Sequence, residues 1–198
     1  MIERGVRRRL RDEYRHEGFY PSRYVEVASW DSGARIIRLS RRSKKRFAAF
    51  AASSIGGWYD RKNGRARDLP CGPTRIFLEF EFRRVDCKVC CKVKRERLEF
   101  LAENSFYTQR FMYHVGRQCR RSTIQDVAKE HNLEWHTVKE LEKEYMLEQL
   151  RLAGTARPKV IGIDEISIRK GHTYRIIVSD LERRIPIWFG GKDRPERV

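Results

Sequence analysis

No apolar run in this sequence approaches the ~20 residues that a membrane-spanning helix requires. The arginine-rich start, MIERGVRRRLRDEYRHEG, lacks the apolar centre of a secretory signal. The chain is therefore read as cytoplasmic, with no membrane partner. Cysteine is scarce and odd in number: Cys71, Cys87, Cys90, Cys91 and Cys119. Such spacing argues against a disulfide framework and for reduced thiols or metal ligation. No internal repeat occurs at the period of a solenoid. Acidic residues are in deficit, 27 Asp and Glu against 44 Lys and Arg, for a net charge of +17. That balance attracts polyanions and is screened by salt, so nucleic acid is the first partner to consider. A basic surface that merely stays solvated is the plain alternative. Hydrophobic residues make up 40% of the 198 and charged residues 36%, enough for an ordinary core in one or two domains.

Pattern divides the chain into four segments and an α+β, multi-domain reading. Residues 1–57 are basic and poorly patterned; RIIRL, Arg35 to Leu39, is a candidate strand with no evident neighbour. Residues 58–104 contain RIFLEFEFRRVDC, where Ile76, Leu78, Phe80 and Phe82 alternate with Phe77, Glu79, Glu81 and Arg83 as in a half-buried strand. Residues 105–152 change period. Tyr107, Phe111, Val115 and Cys119 recur every four residues along one helical face. Ser122 or Thr123 then caps a second helix, and a third begins near Trp135. After the Gly/Pro break at 154–158, residues 153–198 give three short apolar strands with tight connections, an antiparallel meander.

Three groups of residues could carry chemistry. A helix-turn-helix needs a small residue where its helices cross, a turn residue tolerant of left-handed geometry, and a buried pair three apart on the second helix. Ala128, Asn132, Val138 and Leu141 fill those roles, with Leu133 as an anchor. Burying Val138 and Leu141 turns Trp135, His136, Thr137, Lys139, Glu140 and Lys143 partly outward as candidate groove contacts. A helical hairpin that only packs, or binds protein, is the alternative. Cys87 and Cys90 have the C-x₂-C spacing that grips one Zn²⁺, although a structural site needs four ligands and no second pair is present. In VIGIDEISI, Asp164 and Glu165 interrupt a β-branched run. A carboxylate buried there would be paired, protonated or bound to a hard ion such as Mg²⁺. A strand-edge pair answering Arg169, Lys170 or Arg175 is the competing reading.

Three ordered stretches, RDLPCGPTRIFLEFEFRRVDCKVC, IQDVAKEHNLEWHTVKELEKEYM and IGIDEISIRKGHTYRIIVSDLE, resemble the N-terminal half of insertion-sequence transposases of the ISL-three type. The resemblance runs from about Trp58 to Glu196. It implies a zinc ribbon and a helix-turn-helix that recognise the element's terminal inverted repeats in double-stranded DNA. It also implies an RNase-H-like domain whose Asp-Asp-Glu triad cuts and joins DNA with divalent metal. By position, Asp164 would be the first triad carboxylate and a magnesium ligand, Cys87 and Cys90 half of the zinc site, and Trp135 the start of the recognition helix. The family's first cysteine pair is missing before YDRK, so 58–104 is expected as a degenerate zinc-ribbon-like segment. Asp180, in SDLE, reads as a turn residue and not as the second metal ligand. Residues 153–198 are accordingly expected as the first three strands of an incomplete catalytic domain. The chain is expected to be a truncated transposase that binds DNA without catalysis of its own, with another copy or an intact transposase as partner. A nuclease completed by another chain's carboxylates, and a small helix-turn-helix regulator or protein-interaction module, are the alternatives.

Overall fold

The computed structural model describes residues 9–42, 55–87, 91–154, 157–169 and 173–191. The chain divides into two units, Met1–Leu147 and Glu148–Val198. The first unit opens with a short 3-10 helix, Leu10–Tyr14, followed by β1 (Phe19–Pro21), β2 (Glu26–Ala28), β3 (Asp31–Arg41), β4 (Ile55–Cys71), β5 (Thr74–Cys87) and β6 (Lys92–Arg95). Three helices come next: α1 (Gln109–Cys119), α2 (Ile124–His131) and α3 (Trp135–Ala153), the last running across the boundary between units.

The central strand of the larger sheet is β5. Along one edge β4 pairs with it antiparallel, from Ile55↔Cys87 to Cys71↔Thr74. Along the other edge lie β3, parallel from Ala34↔Arg75 to Leu39↔Phe80, and then β6, antiparallel. The period-two pattern does what it predicts over most of the strand: Ile76, Leu78 and Phe80 are buried. They pack with Phe19, Ile37, Leu39, Ala66 and Leu98. Each such side chain contributes ~1.5–3 kcal/mol when fully buried. On the opposite pleat, Ala28, Ala34 and Ile36 form a smaller cluster with Phe77. The alternation fails at Arg83, which is buried while Phe82 is only half-buried. The cause is Glu96. Its buried carboxylate accepts the Arg83 backbone N–H at 2.8 Å and pairs with Arg41, drawing charge to that end of the sheet.

The strand expected without a neighbour, Arg35 to Leu39, therefore finds one in β5, and β1 and β2 pair with β3 in turn. The segment boundary read at residue 57 falls inside β4. A parallel pairing of strands about forty residues apart leaves no turn signal in the sequence, so pattern reading had nothing to detect.

The helices share a separate core of Phe111, Met112, Val115, Val127, Ala128, Val138, Leu141 and Tyr145. Tyr107 lies ahead of α1 and stacks on Phe111 at 5.6 Å, so the four-residue rhythm belongs to the helix only from Phe111 onward. Thr108 caps α1 and Thr123 caps α2, each hydroxyl accepting a backbone N–H three residues on. Gly116 marks where α1 crosses α3: a β-carbon there would lie 2.3 Å from Tyr145 Cγ.

Helices and sheet are joined at one place on β4. Arg67 N–H donates to Phe106 O at 2.8 Å, and Thr108 N–H donates to Arg67 O at 2.9 Å. The fully buried Asp68 accepts from the Thr108 hydroxyl at 2.7 Å and from Arg110 Nε at 2.6 Å. Its second oxygen also pairs with the Arg110 guanidinium.

The second unit is an antiparallel meander of β7 (Ile161–Arg169), β8 (Thr173–Asp180) and β9 (Ile185–Gly191), with β8 in the middle. Ile161, Ile163 and Phe189 are exposed on it.

Candidate nucleic-acid interface

The turn between α2 and α3 sets the angle of the third helix. Asn132 ends α2 in the left-handed region, φ 49° and ψ 58°, which Asn enters more readily than other residues with a β-carbon. Leu133 N–H then donates to Ala128 O at 2.9 Å, closing the end of α2 while the Leu133 side chain packs on the helical core. From Trp135 onward, Val138, Leu141 and Tyr145 face inward at helical spacing. Trp135, His136, Lys139, Glu140 and Lys143 are exposed as a consequence.

That exposed row is partly ordered by its own contacts. The Trp135 and His136 rings stack at 3.6 Å, and Lys139 Nζ lies 5.9 Å from the indole centroid. Thr137 differs from its neighbours. It is half-buried and shares a hydrogen bond with the Tyr107 side chain. Burial raises the Tyr107 phenol above its ordinary value, and the Thr137 hydrogen bond opposes that rise. Thr137 therefore fastens α3 to the segment before α1.

Charge is distributed unevenly. Residues 105–152 carry 8 basic and 7 acidic side chains, whereas residues 1–104 carry 26 and 14. The helices are nearly neutral and the sheet region carries most of the excess. Counting charge segment by segment would have revealed this from sequence; the whole-chain total concealed it.

The acidic pair lies in the second unit. Asp164 and Glu165 sit on β7, an edge strand, where consecutive side chains take opposite faces and both carboxylates are exposed. The expectation that burial would force Asp164 to find a metal or a counter-ion is thus not met. Asp164 Oδ1 accepts the Glu165 backbone N–H at 2.8 Å, and no ion pair to an arginine is present among the described residues. The buried Asp180 closes the turn after β8, accepting the backbone N–H groups of Glu182 and Arg183 at 3.0 Å each.

Among the described residues, no group of three or more His, Cys, Asp or Glu side chains is placed to hold a metal ion. One exposed carboxylate does not make a magnesium site, so these residues do not fit that ion by themselves. Cys90 and the side chain of Cys87 lie outside the described residues; only the backbone of Cys87, at the end of β5, is placed. Cys71 and Cys91 are exposed, and burial pushes the half-buried Cys119 thiol up to about 11, where it stays protonated and ligates poorly.

Three helices around one core, a left-handed Asn between the second and third, and an exposed row on the third define a helix-turn-helix domain of the DNA-binding class. Residues 96–146 match the helix-turn-helix domain of transposase family ISL3. The chain is also 33% identical over 131 residues to the "Transposase for insertion sequence element IS1001" of Bordetella parapertussis, a match covering 66% of this chain and 32% of that protein. The chain is related to the insertion-sequence transposases of the ISL3 type, and it spans about a third of the curated relative it matches. No solved structure matches it. No helix among the described residues is long and apolar enough to cross a membrane.

Proposed function

We propose that this chain binds double-stranded DNA at the terminal inverted repeats of an insertion sequence, with α3 in the major groove. The observation that carries the reading is the left-handed Asn132 with Leu133 anchored behind it. Together they fix α3 so that Trp135, His136, Lys139 and Lys143 project from its first turns. Base contacts come from the start of α3, while phosphate contacts come mainly from the basic sheet region, since the helices bring almost no net charge. Another copy of the chain or an intact transposase is the protein partner, in the cytoplasm.

The meander of β7, β8 and β9 supports reading the second unit as the opening strands of an RNase-H-like domain, with Asp164 on the first as the triad's first carboxylate. Magnesium would belong to that site only once further carboxylates joined Asp164, and no cleavage is assigned to this polypeptide alone. The hairpin of β5 and β6, which sets Cys87 opposite Lys92, supports a zinc-ribbon-like role for Cys87 and Cys90.

The test is a gel-shift titration of the full chain on duplexes carrying the element's end, against scrambled duplexes of equal length. The end should bind about a thousandfold more tightly or better. Lys139→Ala should weaken binding to every duplex and reduce the slope of log affinity against log salt by about 1. Equal affinity for the end and for scrambled DNA would refute the assignment to inverted repeats.

A further inference from the structure

Between the sheet and the helix-turn-helix lies an open cavity of about 630 Å³ that the recognition helix does not use. Its walls include Arg67, Arg95, Phe77, Phe82, Phe106 and Leu133, drawn from β4, β5, β6, the segment ahead of α1 and the turn before α3. The volume lies within the ~300–1,000 Å³ usual for small-ligand sites.

Three arginines line this cavity: Arg65 pairs with Glu79, whereas Arg67, its guanidinium 5.0 Å from the Phe111 ring centroid, and Arg95 form no ion pair among the described residues. Arg67 is 6% exposed, its Nε has no hydrogen-bond partner, and it forms no ion pair with a carboxylate among the described residues. The neighbouring acid, Asp68, is committed to Thr108 and Arg110. Arg95 lies with its guanidinium 3.8 Å from the Phe82 ring centroid and donates through Nη1 to Ser105 Oγ at 2.7 Å. Its Nε is likewise buried without a partner. Holding two such guanidinium groups in one cavity is costly unless an anion completes them. Phe77, Phe82, Tyr107 and Leu133 give the cavity an apolar wall, beside the polar Asn63 and Ser105. Phe106 stands at the mouth, 71% exposed.

An anion site beside an exposed aromatic ring matches a phosphate with a base attached. A phosphate alone would leave the rings without purpose, and a base held in a duplex offers no free face to stack. We propose that this cleft takes an unpaired nucleotide of the DNA that α3 binds, its phosphate between Arg67 and Arg95 and its base on Phe106. Leu133 lines the cleft two residues before Trp135, so the strand that enters it continues from the duplex on α3. The inference rests on the DNA-binding reading above.

The test compares the full chain on a blunt 20-base-pair duplex and on the same duplex with a three-nucleotide single-stranded overhang, on either strand, carrying 2-aminopurine. At low salt the overhang should raise affinity about tenfold, as one stacked base does, and quench the 2-aminopurine fluorescence. Phe106→Ala, an exposed position, should abolish both effects and leave blunt-duplex affinity unchanged. Arg95→Met should remove the overhang preference as well. An overhang of abasic sites should bind no better than blunt DNA; equal gain from abasic and normal overhangs would overturn the proposal. So would equal affinity of wild type for blunt and overhang duplexes while Lys139→Ala still weakens blunt binding, a result that leaves the reading of α3 intact. Absence of any duplex binding would sink both.

Discussion

Removal of the Asp68 carboxylate is the sharpest probe of how the helices are held. Asp68 is fully buried and serves three donors: the Thr108 hydroxyl, Arg110 Nε and a second Arg110 nitrogen. In Asp68→Ala the Thr108 hydroxyl still caps α1, but its proton has no acceptor. Arg110 keeps only its bond to Glu13 O at 2.8 Å. Burial alone would lower the Arg110 guanidinium, and the Asp68 hydrogen bond and charge more than offset it, holding it above its ordinary value. Breaking one side of a buried ion pair costs ~3–5 kcal/mol. Because the Arg110 side chain is 30% exposed, water recovers part of the loss, and about 3 kcal/mol is expected. In a unit of this size that lowers Tm by roughly 6–12 °C. Urea unfolding followed by tryptophan fluorescence measures it. Adding Arg110→Met to Asp68→Ala should cost less than the sum of the single changes, since the second removes a cation that the first left unpaired. A loss below about 0.5 kcal/mol for Asp68→Ala, or strict additivity in the cycle, would refute the argument that this network fastens helices to sheet.

Two further outcomes follow from packing and titration. Gly116→Ala puts a methyl group 2.3 Å from Tyr145 Cγ, so α1 and α3 must move apart; a loss of ~1–3 kcal/mol is expected in the same unfolding assay, and wild-type stability would contradict the crossing described. His16 stacks on Phe100 at 4.4 Å, and burial, with the Arg110 charge adding to it against the opposing Asp68, lowers its imidazole from 6.5 to about 4. The unfolded chain therefore binds the extra proton first, so stability is full above pH 6.5 and falls as pH drops toward 4, by at most about 3 kcal/mol. His16→Phe should flatten that part of the curve, and an unchanged slope in the variant would show that other groups cause it.

The helix-turn-helix was legible because each of its requirements is local. Small Ala128, left-handed Asn132 and the buried pair Val138 and Leu141 lie within fourteen residues, and each has a distinct stereochemical reason. The strand containing Ile76, Leu78 and Phe80 was legible for the same reason, since one face of one strand writes its own period. The partner of β3 was not, because parallel pairing depends on a segment far along the chain. The hydrogen bond of Thr137 was not legible for a related reason: the helical wheel places it partly outward, but Tyr107, ahead of α1, reaches it. The environment of Asp164 was left open between two readings because a β-branched run looks alike in a covered strand and at the edge of a three-stranded sheet, where the same side chains stand in solvent.

Two adjacent residues of β4 then divide the work of the first unit. Strand geometry sends Arg67 and Asp68 to opposite faces. Asp68 is consumed by Thr108 and Arg110, which sets the helices at a fixed place on the sheet, while Arg67 hydrogen-bonds Phe106 and Thr108 through its backbone and lines the cleft with a guanidinium 5.0 Å from the Phe111 ring centroid. A helix domain with almost no net charge would bind duplex weakly if it hung free, because phosphate neutralisation supplies most of non-specific affinity. On the proposed reading, with residues 1–104 carrying 26 basic and 14 acidic side chains, it can leave that task to them and keep α3 for bases. On the DNA-binding reading proposed above, the join at β4 matters as much as Lys139 does. Loosening it through Asp68 should cost affinity even at salt concentrations where the fold itself survives.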